Sequence, residues 1–146
     1  MRLLAVGDIH GCFRALTTLV DYVGIGGDDR IVTLGDYVDR GPATREVLDW
    51  LIAFEKTGQL IPLRGNHDIM MLRARDRRSD YCEWMEKGGD AVLRSYAPLD
   101  GTAGKLSDVP QSHWDFLEHK LRPYYETDAH FFVHANAYTD YDLDEQ

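Results

Sequence analysis

The chain has 146 residues, 44% of them hydrophobic, which suits one domain with its own core. Its formal charge of −9 excludes a protein that wraps nucleic acid or lies on an anionic membrane, since both need a positive face. Two cysteines, Cys12 and Cys82, are too few for a disulfide-stapled secreted fold, and the apolar opening meets Gly7-Asp8 too early for a signal-peptide core, so a soluble cytoplasmic protein is expected.

Leu3 to Val6 form a short apolar run, and Leu16, Leu19, Val20 and Val23 then recur at helical spacing, predicting strand followed by helix. The unit repeats. Arg30 to Leu34 lead into Gly35-Asp36, and Gly41-Pro42 open a helix carrying Val47, Leu48, Leu51, Ile52 and Phe54. Pro42 suits a first helical position, where its missing N–H costs nothing. A third unit has Gln59 to Leu63 as its strand and Asn66 onward as its helix. Three β-α units in succession predict an α/β fold with a largely parallel sheet and ligands at the carboxyl ends of its strands. Each strand does end in a polar loop marked by glycine.

Further helices are predicted over Tyr81 to Lys87, Asp90 to Tyr96 and, after Pro110, Ser112 to Lys120, with Gly88-Gly89 separating the first two. Tyr124 to Thr127 and His130 to Val133 read as strands joined by a tight turn at Asp128-Ala129. No linker or charge block divides the chain, so residues 1–146 are expected to form a single domain.

The three strand-end loops are Gly7-Asp8-Ile9-His10-Gly11, Gly35-Asp36-Tyr37-Val38-Asp39-Arg40-Gly41 and Gly65-Asn66-His67-Asp68. A lone Gly-Asp pair is common in turns; three such motifs in order, each at a strand end, are not. The triplet resembles the phosphoprotein phosphatase branch of the calcineurin-like metallophosphoesterases. The segment from Trp84 through Gly88-Gly89 to Tyr96 is similar to its bacterial and phage members. Chemistry points the same way. Asp8 and His10, two residues apart at the end of an extended segment, face one side and can hold a divalent ion from it. A carboxylate such as Asp36 can bridge two ions, Asn66 offers a neutral oxygen, and His134 offers a nitrogen.

The resemblance implies a four-layer α/β/β/α sandwich with mixed sheets. It assigns Asp8, His10 and Asp36 to one metal and Asp36, Asn66 and His134 to a second. Manganese is the expected ion, with iron or zinc equally compatible with an O,N donor set. Water between two such ions is acidified from a pKa near ~16 towards neutrality and can attack phosphorus directly. His67 is then the expected general acid, Asp39 the carboxylate supporting its imidazolium form, and Arg40 a fork-shaped donor for phosphate oxygens. The implied activity is hydrolysis of phosphate monoesters, as a protein Ser/Thr phosphatase, on a phosphorylated protein or a small phosphate ester. Two alternatives stand beside it. Symmetrical bis(5'-nucleosyl)-tetraphosphatases share Gly41-Pro42 and Asn66-His67-Asp68 but, by this resemblance, lack the acid at Asp39. A non-catalytic phosphate-binding module would use Arg40 without turnover.

The resemblance also implies a later Gly-His histidine and a further phosphate-binding arginine, and Ala135 to Gln146 contain neither. The expectation is a domain lacking its C-terminal part, with an incomplete second sheet. His113, His119 and His130 have no motif around them and are expected as surface or core residues. Arg73, Arg75, Arg77 and Arg78 read as a solvated helix face. Cys12 reads as a small packing residue.

Overall fold

A computed structural model describes residues 1–136; residues 137–146 of the expected single domain lie outside the described residues. Strands β1 (Leu3–Val6), β2 (Arg30–Thr33) and β3 (Leu60–Pro62) form a parallel sheet in that order. Ile31 stands opposite Leu4 on one side and Leu60 on the other. The connections are α1 (Phe13–Val23) and α2 (Thr44–Glu55), and α3 (Asn66–Ala74) follows β3.

Alternation along β2 sorts the core into two layers. Ile31 and Leu60 pack with Leu16, Val47, Leu48 and Leu51 in the helix-covered cluster. Val32, Ile61 and Leu63 face the other way, against Tyr125 and Phe132. These last belong to β4 (Tyr124–Glu126) and β5 (Phe131–Val133), an antiparallel pair with Tyr125 opposite Phe132. The parallel sheet is thus covered by helices on one face and by a second, small sheet on the other. Each fully buried aliphatic side chain, such as Val32 or Leu48, contributes on the order of 1.5–3 kcal/mol.

Between α3 and β4 lie α4 (Arg78–Trp84), a π turn over Met85–Gly89, α5 (Asp90–Ser95) and α6 (Gln111–His119). The predicted break at Gly88-Gly89 is a kink, with Gly88 at φ 109°. The predicted hairpin turn closes through Thr127 N–H donating to the His130 carbonyl at 2.8 Å. Leu63 lengthens the third strand only as an isolated bridge to Arg122. Pro42 does not begin a helix. Ala43 N–H donates to the Gly11 carbonyl at 3.0 Å and Gly41 N–H to the Asp39 carbonyl at 2.7 Å, so Gly41 to Ala43 stay in the loop and α2 starts at Thr44. Among the described residues no helix is long and apolar enough to cross a membrane.

Candidate metal and phosphate site

The three loops leaving β1, β2 and β3 are woven together by their backbones. Ile9 and His10 N–H donate to the Asp36 carbonyl at 3.1 and 2.8 Å, and Gly11 N–H donates to the Tyr37 carbonyl at 2.9 Å. The approach of the second and third loops leaves no room for a side chain at Gly65, where a Cβ would collide with the Asp36 carboxylate and amide.

His10 (φ 42°), Asp36 (54°), Asp39 (70°) and Arg40 (67°) are the non-glycine residues with left-handed backbone among the described residues. Each costs up to about 1–3 kcal/mol, and such strain persists only where its surroundings over-determine it. All four are site residues expected from sequence. Their neighbours hold them. Tyr37 and Val38, between Asp36 and Asp39, are fully buried. The Tyr37 hydroxyl donates to the Leu63 carbonyl at 2.7 Å and pairs with Thr33 Oγ1 at 2.9 Å. Burial of Tyr37 pushes its phenol pKa well upward, which keeps it a neutral donor. Asp68, also fully buried, accepts N–H bonds from Asp36 (2.9 Å), Tyr37 (3.0 Å) and Gly65 (2.9 Å), tying the second loop to the third. Burial lifts the Asp68 pKa to about 7, and the backbone N–H donors pull against it.

On this frame the expected ligands converge. His10 Nε2 lies 3.5 Å from Asp36 Oδ2 and 3.8 Å from Asp8 Oδ2. His134 Nε2 lies 3.0 Å from Asn66 Oδ1 and 3.5 Å from Asp36 Oδ1. Both rings are oriented alike. His10 Nδ1 bonds to the Val38 carbonyl at 2.7 Å and His134 Nδ1 to the Leu34 carbonyl at 2.9 Å, so in each the Nδ1–H donates and Nε2 is turned towards the carboxylates. A backbone acceptor on the far nitrogen is the usual support of a metal-bound histidine. The donor atoms of Asp8, Asp36 and His134 lie within 4.8 Å of one another, as do those of His10, Asp36 and His67. Asp36 belongs to both groups. Asp8 thus stands near both His10 and His134, around the same shared carboxylate. The set fits divalent cations that favour mixed oxygen and imidazole donors.

Beside this cluster His67 Nδ1 bonds to Asp39 Oδ2 at 2.6 Å, and Trp84 Nε1–H donates to Asp39 Oδ1 at 2.7 Å. Burial is the largest influence on both acids of the pair. It lifts Asp39 to about 7 and lowers His67 from its ordinary value. Arg40 spans the two rings, with Nη1 3.2 Å from His10 Nε2 and Nη2 3.1 Å from His67 Nε2. It stands where the rings of His10 and His67 face the same space.

All eight expected site residues are therefore brought together. Sequence reasoning missed the supporting roles of Tyr37, Val38, Asp68 and Trp84. For Asp68 a signal existed, an acid at the third position of a helix, where it reaches back to the amide before the helix. Trp84 opens the segment that resembles the bacterial and phage members, which marks the residue but not its partner 45 residues away. Outside the cluster, His113 is buried while His119 and His130 are exposed. Cys12 is exposed rather than packed, because it sits at the start of α1 with its sulfur turned towards the His10 carbonyl. Of the arginine run, Arg75 pairs with Glu118 at 3.3 Å and lies 5.2 Å over the Trp114 ring.

The sequence model of the calcineurin-like phosphoesterases matches residues 1–143. The chain belongs to the calcineurin-like phosphoesterase family. Among relatives of this family, a symmetrical bis(5'-nucleosyl)-tetraphosphatase of Neisseria gonorrhoeae is 42% identical over 69 residues, 47% of this chain and 24% of that protein. The enzyme of the same name from Pseudomonas syringae is 33% identical over 117 residues, 79% of this chain and 38% of that one. Serine/threonine-protein phosphatase 1 of Salmonella typhimurium is 33% identical over 134 residues, 91% of this chain and 60% of that one. A crystal structure of a protein provisionally described as a diadenosine tetraphosphatase superposes with a TM-score of 0.62 at 25% identity, covering 99% of this chain and 59% of its own. The chain thus spans between 24% and 60% of the length of these curated relatives. The family is one of metal-dependent hydrolases that act on phosphate esters.

Proposed function

We propose that this site hydrolyses phosphate monoesters of poorly departing alcohols, as on phosphoserine or phosphothreonine, with two divalent ions, manganese first among them, held by Asp8, His10, Asp36, Asn66 and His134. The observation that carries the reading is the buried Asp39–His67 pair at 2.6 Å. An alkoxide is too basic to leave unprotonated, so a positioned proton donor accelerates its departure by about 10²–10⁴. A nucleoside diphosphate leaves at neutral pH without such help. The ions supply Lewis-acid activation of phosphate and water.

The protein's own groups divide the remaining work. Arg40 offers two parallel N–H donors, now directed at the imidazoles, that match two oxygens of a phosphate dianion. Turning to phosphate, it uncovers the Nε2 of His67, from which a proton reaches the departing oxygen. Asp39 holds the ring by Nδ1 and compensates the imidazolium charge. The strained backbone at Asp36, Asp39 and Arg40 fixes these directions before substrate arrives.

The names of several relatives support a second reading, symmetrical cleavage of dinucleoside tetraphosphates. One assay separates the two. With manganese added, the intact protein is offered a phosphoserine peptide and diadenosine tetraphosphate, and phosphate and nucleoside diphosphate are measured. We expect kcat/KM for the peptide to exceed that for the tetraphosphate. The reverse order assigns the second reading, and phosphate binding without turnover of either assigns a binding module.

A further inference from the structure

Trp84, the last residue of α4, is fully buried and reaches the acid pair from the helical half of the molecule. Its indole N–H donates to Asp39 Oδ1 at 2.7 Å, while the other oxygen of Asp39 engages His67 at 2.6 Å. Asp39 is itself wholly inaccessible, so water has no route to replace that donor. The indole is confined in turn. Tyr81 meets it edge-on at 5.9 Å, and Gly89 lies so close that a Cβ there would overlap ring atoms Cδ2 and Cε2. Gly88, at φ 109°, accepts the Arg40 N–H at 3.1 Å. Trp84 and the kink that follows it therefore hold two successive left-handed residues of the second loop, Trp84 engaging Asp39 and Gly88 engaging Arg40.

We propose that Trp84 is a positioning residue of the hydrolysis, holding Asp39 so that His67 presents its outer nitrogen to the departing oxygen. The proposal rests on the hydrolase reading above. An indole N–H suits this place because it donates only and does not titrate. Asp39 Oδ1 thus meets a fixed donor, and the carboxylate cannot swing away from His67. A purely structural tryptophan would affect stability, or every substrate alike. A positioning one acts on the proton-dependent step alone.

The test uses the intact protein with manganese and two substrates, a phosphoserine peptide and p-nitrophenyl phosphate, whose leaving group departs without a proton. Trp84→Phe keeps an aromatic ring and removes the donor. It should lower kcat on the peptide about 10–100-fold with KM unchanged, and lower the aryl rate less than about threefold. In an Asp39→Asn background the same substitution should have no further effect, because both act through one group. Equal losses on both substrates, or losses that multiply with Asp39→Asn, would overturn the proposal. An activity-independent readout is the Trp84 indole N–H resonance in a 15N-labelled sample. We expect it downfield and protected from exchange, and shifted upfield in Asp39→Asn; a resonance indifferent to Asp39→Asn overturns the contact even where Trp84→Phe does not fold. If the wild-type protein turns over neither ester, the hydrolase reading fails, and the resonance separately decides whether Trp84 holds Asp39.

Discussion

His67 and His113 each lie buried against an aspartate, yet the two clusters differ in what they leave free. His67 gives Nδ1 to Asp39 at 2.6 Å and turns Nε2 towards Arg40 and the converging ligands. His113, on α6, gives Nδ1 to the Tyr96 hydroxyl at 2.7 Å and Nε2 to Asp49 at 2.9 Å, joining α6 to α2 and to the end of α5. Its aspartate has a side chain 62% exposed, whereas Asp39 is wholly enclosed. A buried imidazole with one nitrogen committed to the fold and one aimed at charged donors is equipped as a reagent. One with both nitrogens committed is a rivet.

That contrast can be broken most forcefully at the carboxylate both candidate metal groups share. Asp36→Asn should reduce phosphatase turnover at least about a thousandfold, the several kcal/mol a bound cation contributes, and should lower metal content by mass spectrometry. His67→Ala should keep the metals and lower turnover of an alkyl phosphate by about 10²–10⁴, measured in steady state. His113→Leu should do the opposite. It leaves the buried Tyr96 hydroxyl without its partner, costing about 1–3 kcal/mol in urea unfolding, while kcat stays within about twofold of wild type. A comparable loss of turnover in His113→Leu would dissolve the distinction between the two histidines.

The smallest effect lies at the other end of the same sheet, where Asp29 accepts from Arg2 Nη2 at 2.6 Å and from Gly26 N–H at 2.8 Å. The Arg2 hydrogen bond, helped by the Gly26 and Arg2 amides, holds the Asp29 carboxyl well below its ordinary 3.8. Because the folded value is depressed, this contribution is present above that ordinary value and is lost as pH falls below it. The difference in urea midpoint between wild type and Arg2→Ala should accordingly shrink as pH drops below 3.8.

What the sequence disclosed follows the range of the interactions involved. Asp8, Asp36 and Asn66 were legible because strand, loop and polar residue are neighbours in the chain, and the period of the apolar residues located the strand ends. The hairpin at Asp128-Ala129 was legible for the same reason. The start of α2 was not, since Pro42 is overruled by the bond of Ala43 to the distant Gly11 carbonyl and the tight turn of Gly41 onto Asp39. Tyr37 and Val38 looked like spacers in a charged motif. Only the folded loop shows that one anchors it in the core and the other's carbonyl orients His10. Trp84 and Asp68 also act across 45 and 32 residues, respectively; the helix-start position of Asp68 announces its bond to Gly65 but not these distant partners.

The distance of His134 from the other ligands sets an order of assembly during synthesis. Asp8, His10, Asp36 and Asn66 emerge with the first three β-α units, and His134 follows 68 residues after Asn66. At about 5–20 residues per second, that interval is about 3–14 s. For this time a nascent chain carries Asp8, His10, Asp36 and Asn66 without His134. The β4–β5 pair then brings His134 to the Leu34 carbonyl, in the loop that leaves β2 and carries the shared aspartate.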